Sequence, residues 1–406
     1  MPPRKPPHLP ESKRLSGPLP DPPSLLGGLG IRRFLQRHWQ KKPLLIRQAF
    51  PDFQGFLSPG ELMRLAGREG VQSRLVLEKG GDYPWQAISG PFKPAEFHRL
   101  PRTHWTLLVQ DVDKLMPQAA DLLEHFNFIP RWRIDDLMVS LAPPHGGVGP
   151  HVDSYDVFLL QARGHRRWQI DTRRRGAREF IPDLDLRILR RFKPEREWVL
   201  SPGDMLYLPP GVAHHGVALD ECMTYSIGFR SPSRRELLGR FYEYLTAQAS
   251  DTLYYTDPDL ALQREAGEIT SQSLRRIHRL MGMGRFDLEQ IECWLGSFIT
   301  EPGPWPPPPA PRRKLTPAAF LKRCARARAL RRPPGVRVAH IRRRRGALLF
   351  VNGGVFALPA ALRSAAPLLS GRREVTLARL KPYLGNGAFA ELLCRLYNDG
   401  CLMFGK

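Results

Sequence analysis

The sequence predicts an α+β chain: a barrel or sandwich of short strands with flanking helices, then a helical region, then a winged-helix-like end. Three observations carry this. Between about 131 and 230 the apolar pattern has period two, in DLMVSLA, HVDSYDVFLLQ, HRRWQI, EWVLSPGDMLYLP and MTYSIGFR, cut by Gly, Pro and Asp turns. From 233 to 300 the pattern turns helical, in RRELLGRFYEYLTAQAS, SQSLRRIHRLMGM and FDLEQIECWLGSFI. A proline-rich stretch, EPGPWPPPPAPRRK, then separates a basic helix (TPAAFLKRCARARAL) and hairpin strands (RVAHIRRRRGALLFVNGGVFALP) from what precedes them.

The elements follow in order. Residues 1–25 are proline-rich and basic and read as a disordered arm. IRRFLQRHWQKKPLLI begins as an amphipathic helix, breaks before Pro43 and continues as a short apolar strand. FLSPGELMRLAG has Ser58 as N-cap, Pro59 at the first helical position and Gly67 near the end. The domain limits expected are 26–232, 233–300, a linker at 301–314, and 315–406.

Composition narrows the function. Of 406 residues 42% are hydrophobic, enough for a sizeable core. There are 62 Lys and Arg against 39 Asp and Glu, a net charge of +23, which points to a polyanionic partner such as RNA or a ribonucleoprotein. The run Arg342–Arg345, in the winged-helix-like part, is the place where phosphate contact is expected. The five cysteines are scattered without a CxxC, which speaks against a disulfide framework and for a reducing compartment. No apolar run is long enough to span a bilayer and the N-terminus lacks a signal-type apolar core, so a cytoplasmic protein is expected. Neither a Rossmann glycine fingerprint nor a Walker lysine loop is present.

One stretch, GPHVDSYDVF, raises a chemical question. His151 and Asp153 lie two apart in a strand, so they share a face. Farther on, LPPGVAHHGVAL offers His214 and His215 just after a Pro-Pro-Gly turn. Adjacent strand residues face opposite ways, so one of these two histidines can join the pair. Two imidazoles and a carboxylate on separate strands form a facial triad, the arrangement suited to Fe(II) with open coordination positions.

GGVGPHVDSYDVFLLQ and GDMLYLPPGVAHHGVALDECMTYSIGFR resemble the JmjC-type cupin oxygenases that use Fe(II), 2-oxoglutarate and O2. More narrowly, they resemble the bacterial ribosomal oxygenases that hydroxylate arginine in large-subunit ribosomal protein sixteen. The likeness covers about 30 to 230, and more loosely the later helices and the basic end. It implies a double-stranded β-helix barrel, a dimerisation region in the helices, and a winged-helix C-terminal domain. It implies His151, Asp153 and His214 as catalytic metal ligands, with His214 rather than His215 on the family pattern. Arg166 would hold the distal carboxylate of 2-oxoglutarate, with Ser140, Thr224 and Ser226 supplying hydroxyls, although many relatives carry Asn where Thr224 stands. Tyr155 with Asp156 or Asp136 would receive an arginine side chain. The resemblance further implies a ribosomal-protein substrate, possible contact with rRNA, and a homodimer. Two rivals remain: a histidine hydroxylase or methyl-lysine demethylase on the same iron centre, and a non-catalytic cupin that regulates through nucleic-acid binding.

Overall fold

The computed structural model describes residues 25–79, 85–173, 179–181, 187–249, 253–258, 271–281, 287–303 and 309–405. Nearly all of the N-terminal arm, the middle of the linker, and Arg174 and Arg175 of a second arginine run therefore lie outside the described residues.

Among the described residues the first half carries twelve strands: β1 (Leu44–Ile46), β2 (Ser73–Glu78), β3 (Trp85–Ser89), β4 (Trp105–Val109), β5 (Ile134–Ala142), β6 (His151–Val152), β7 (Val157–Arg163), β8 (Arg166–Asp171), β9 (Arg196–Leu200), β10 (Met205–Leu208), β11 (Ala213–Ala218) and β12 (Cys222–Phe229). They form an eight-stranded sheet, β1-β10-β7-β12-β5-β4-β2-β3, and a four-stranded sheet, β6-β11-β8-β9, with antiparallel pairing throughout. Of the barrel or sandwich that the strand pattern allows, this is the barrel, as the resemblance to the cupin oxygenases implies.

Strand parity decides what lies inside. On β7, Phe158 and Leu160 join the core with helix residues such as Leu62 and Phe126, outside the large sheet. Val157 and Leu159 face the other way and meet Trp168, Ile170 and Leu200 of the small sheet. The VFLL run is uninterrupted because both faces of the strand are covered. On β12, Met223, Tyr225 and Ile227 pack on the helical side, which leaves Thr224 and Ser226 for the interior. On β5, Leu137, Val139 and Leu141 do the same, which leaves Asp136, Met138 and Ser140 inside. The barrel is therefore apolar near β9 and β10 and polar beside β5 and β12.

The Pro59–Ala66 helix starts as its sequence requires: Ser58 accepts from the Glu61 amide and Glu61 returns a bond to the Ser58 amide at 2.8 Å.

The C-terminal part has its own core, from Phe320, Leu349, Leu380, Phe389 and Leu393 among others. Its six strands, β13 (Ala329–Arg331), β14 (Val338–Arg343), β15 (Gly346–Val351), β16 (Gly354–Pro359), β17 (Glu374–Thr376) and β18 (Met403–Gly405), make two three-stranded sheets, β17-β13-β18 and β14-β15-β16. The helix Leu288–Thr300, expected within the 233–300 region, packs on β14–β16 and also meets the Arg234–Thr246 helix, where Phe241 and Trp294 have ring centroids 4.9 Å apart. Gly296 makes this close approach possible, since a Cβ there would fall 2.2 Å from the Phe350 ring. Arg343, from the expected phosphate-binding run, pairs with Glu289 and Glu292 of this helix at 2.7 and 3.0 Å. Arg342, Arg344 and Arg345 are exposed.

An ionic seam joins the two halves. Arg331 and Arg373 both reach Asp121 at 2.6 Å, and the Arg373 amide donates to Glu124 at 3.2 Å. Among the described residues, no helix is long and apolar enough to cross a membrane.

Candidate metal centre

β6 and β11 pair antiparallel with His151 opposite His214, so the two imidazole rings come within 4.2 Å, centroid to centroid. Asp153 approaches from the chain just beyond β6, with carboxylate oxygens 3.9 Å from His151 Nε2 and 3.6 Å from His214 Nε2. One ligand atom from each of the three lies within 4.8 Å of the others. Gly149, at φ +78°, turns its carbonyl toward His151, whose Nδ1 donates to it at 2.9 Å. His214 Nδ1 donates to the Val212 carbonyl at 3.0 Å. A carbonyl can only accept, so in both rings Nδ1 carries a proton and Nε2 is the atom left to ligate at the shared centre. Burial, with His151 beside it, holds His214 down at about 4, so its ring is neutral at physiological pH and ready to ligate.

His215 points away, edge-on to Phe192 with centroids 6.1 Å apart. The alternation along β11 thus takes His214 to the interior and His215 out of it.

A cavity of about 110 Å³ opens from the triad into the barrel. Arg166 lies along it, 3% exposed, over the Trp168 ring at 5.1 Å. Its guanidinium donates to Ser140 Oγ at 3.4 Å and to the Gly216 carbonyl at 3.1 Å. Among the described residues it has no ion-pair partner, and its Nε has no acceptor. Trp168 Nε1, in the same cavity, also lacks one. Burial lowers the Arg166 pKa, which the Cys222 thiol offsets in part. A buried cation without a counter-charge is costly, and a carboxylate ligand would remove that cost. Glycine is required at 216, because a Cβ there would stand 2.7 Å from Arg166 Nε.

Ser140 and Thr224 are cross-strand partners on β5 and β12, and Ser226 follows on the same face, 7% exposed. The Thr224 hydroxyl donates to Gln161 Oε1 at 3.0 Å, so only its oxygen lone pairs remain for a ligand. Asp136 and Tyr155 line the cavity mouth. Burial pushes the Asp136 carboxyl up to about 7; Lys114 opposes this, and Asp111 and Asp113 add to it. Asp156 does not reach the cavity. It is fully buried on the helical side, accepting from Tyr207 at 2.6 Å and Gln40 at 3.0 Å. The bend between β6 and β7 explains this correction: it leaves Asp153 and Tyr155 lining the cavity and turns Asp156 to the helical side, where Phe158 also packs. The sequence reading passed over Trp168 and Gly216, although Trp168 stands two residues beyond Arg166 and so on its face.

The chain matches the JmjC domain family over residues 121–237 and the ROXA-like winged helix over 284–403. Ribosomal protein uL16 3-hydroxylase of Escherichia coli is 34% identical over 371 residues, 91% of this chain and 96% of that protein. The chain belongs to the JmjC ribosomal oxygenases. This oxygenase is also 37% identical to a probable ribosomal oxygenase of Haemophilus influenzae, over 61% of its own length and 62% of the relative's. The solved structure of the Escherichia coli ribosomal oxygenase YcfD in complex with cobalt and 2-oxoglutarate superposes with a TM-score of 0.78 at 33% identity, covering 93% of this chain and 99% of that one. The donor set of this oxygenase, two imidazoles, a carboxylate and an unpaired buried guanidinium, fits a divalent metal and a dicarboxylate bound together.

Proposed function

We propose that this chain is an Fe(II)- and 2-oxoglutarate-dependent hydroxylase of a large-subunit ribosomal protein, acting on an arginine side chain. The observation that carries the reading is one cavity with His151, Asp153 and His214 at one end and the unpaired Arg166 along its wall. The names of the relatives, a uL16 hydroxylase and a 2-oxoglutarate-bound ribosomal oxygenase, support it.

In this reading His151, Asp153 and His214 hold the iron and leave one face of it free. Arg166 clamps the distal carboxylate of 2-oxoglutarate, with Ser140 fixing the guanidinium and Thr224 and Ser226 lining the co-substrate's side. Bound there, iron and 2-oxoglutarate supply the oxidation: O2 and the keto acid are consumed, CO2 and succinate leave, and one oxygen enters a substrate C–H bond. Asp136 receives the substrate guanidinium, Tyr155 gives its stem an aromatic wall, and the apolar β7 side keeps water from the reacting carbon.

The helix Ser271–Leu280 leaves Leu274, Ile277 and Leu280 exposed along one stripe, which suits a second copy of the chain and a homodimer. A ribosomal substrate puts the site of action in the cytoplasm, and Arg342, Arg344 and Arg345 are free to meet rRNA.

The test is mass spectrometry of ribosomal-protein peptides incubated with the protein, Fe(II) and 2-oxoglutarate, with His151→Ala as control. One added oxygen on an arginine, with succinate released and no formaldehyde, is the expected result. Formaldehyde release would indicate demethylation, oxygen on a histidine would move the target residue, and DNA binding without turnover would favour the regulator.

A further inference from the structure

A strongly basic enzyme with a basic substrate meets a charge problem: like charges repel over the encounter distance. The chain's 62 basic residues against 39 acidic ones repel a ribosomal protein as a whole, so attraction has to be local. Outside the metal cavity runs an open groove of about 400 Å³, and Tyr155 lines both. The groove passes between the cavity mouth, the start of the Arg234–Thr246 helix, and the segment after the Leu288–Thr300 helix, where Arg337 of the winged-helix part closes it.

Its lining reverses the balance of the chain. Asp135, Glu236 and Glu301 face two guanidiniums, those of Arg230 and Arg337. Asp135 accepts from Arg230 at 3.1 Å yet is 52% exposed, and Glu301 pairs with Arg240 yet is 50% exposed, so both keep an open side toward solvent. Trp132 stands 42% exposed on the wall, and the Arg133 guanidinium already sits 5.6 Å from its ring centroid. An indole in that setting offers its free surface to the stem of another basic side chain.

Resting on the hydroxylase reading above, we propose that this groove is the docking channel for the basic polypeptide that flanks the hydroxylated residue. The acids take Lys or Arg side chains of the flanking segment, Trp132 takes an apolar stem, and Tyr155 marks where the target side chain turns into the cavity. Asp135 and Glu301, each half exposed, are where a chain of net charge +23 can still engage a basic protein.

The experiment uses the full-length protein and its double variant Trp132→Ala/Glu301→Gln, neither residue lining the metal cavity. Two synthetic peptides from ribosomal protein uL16 are compared, a short one centred on the oxidised residue and a long one reaching well to either side. The wild-type protein should show a KM about tenfold lower for the long peptide. The variant should lose that advantage while its kcat, its KM for the short peptide and its KM for 2-oxoglutarate stay unchanged. Equal KM values for the two peptides in the wild type, or an unchanged long-peptide KM in the variant, would overturn the docking channel and leave the hydroxylase standing. Oxidation of neither peptide by protein that still binds cobalt and 2-oxoglutarate would sink the ribosomal-substrate reading, and the channel with it.

Discussion

Two of the three arginines buried among the described residues stand in opposite surroundings. Arg166 in the barrel is 3% exposed and has no acidic partner among the described residues. Arg373 in the seam between the halves is 6% exposed and reaches Asp121 at 2.6 Å, the Pro117 carbonyl at 3.0 Å and the Arg332 carbonyl at 3.3 Å. The residue type and the burial are alike, yet the roles differ. A guanidinium whose charge is met inside the protein holds two surfaces together. In the proposed reading Arg166, whose charge is left open beside the triad, is the receptor for an anion.

The comparison breaks most sharply at Arg166. Replacing it with Ala should raise the KM for 2-oxoglutarate on the order of 100-fold, about 2.7 kcal/mol, through the lost charge-assisted bonds. Cobalt binding and thermal stability should hold, because an uncompensated charge has been removed rather than a pair broken. Titration calorimetry and a melting curve read both; a large loss of stability with an unchanged KM would reverse the assignment.

At Arg373 the pattern should invert. Arg373→Ala should cost about 1–2 kcal/mol of stability, since Arg331 still serves Asp121, and should leave the KM for 2-oxoglutarate alone. Denaturant melts beside steady-state kinetics measure this.

The smallest effect sharpens the comparison from the acidic side. Asp136, raised to about 7 by burial, is largely protonated below that pH and charged above it. A cationic substrate binds the charged form, so its KM should rise severalfold as pH falls from about 8 to about 6. Asp136→Asn should flatten that profile. The sign for stability is opposite. A carboxyl whose folded pKa lies above its unfolded value favours the fold at low pH, so its contribution is lost as pH rises from about 4 to about 7.

Much of this was legible in the sequence because a barrel writes itself as alternation. The apolar residues at 137, 139 and 141 imply an inward Asp136, Met138 and Ser140, whereas alternation leaves His214 and His215 open and only the family pattern prefers His214. Asp156, offered beside Asp136, lies outside the cavity because the bend before β7 turns it to the helical side while Tyr155 stays on the cavity wall. The surface that covers the Leu288–Thr300 helix was not legible for a different reason: its pattern names an apolar face but not what packs on it, and only the Gly296–Phe350 and Trp294–Phe241 contacts identify those surfaces.

The sequence by itself therefore determined which residues alternate inward, where turns and caps fall, and which ligand types stand at family spacing, because these are properties of consecutive residues. Only the tertiary structure decided that His151 sits opposite His214, that Arg166 lacks a counter-charge while Arg373 has one, and that acids gather beside Trp132 on a basic chain. Pairing, burial and charge balance depend on residues brought together from distant parts of the chain, and no local pattern encodes them.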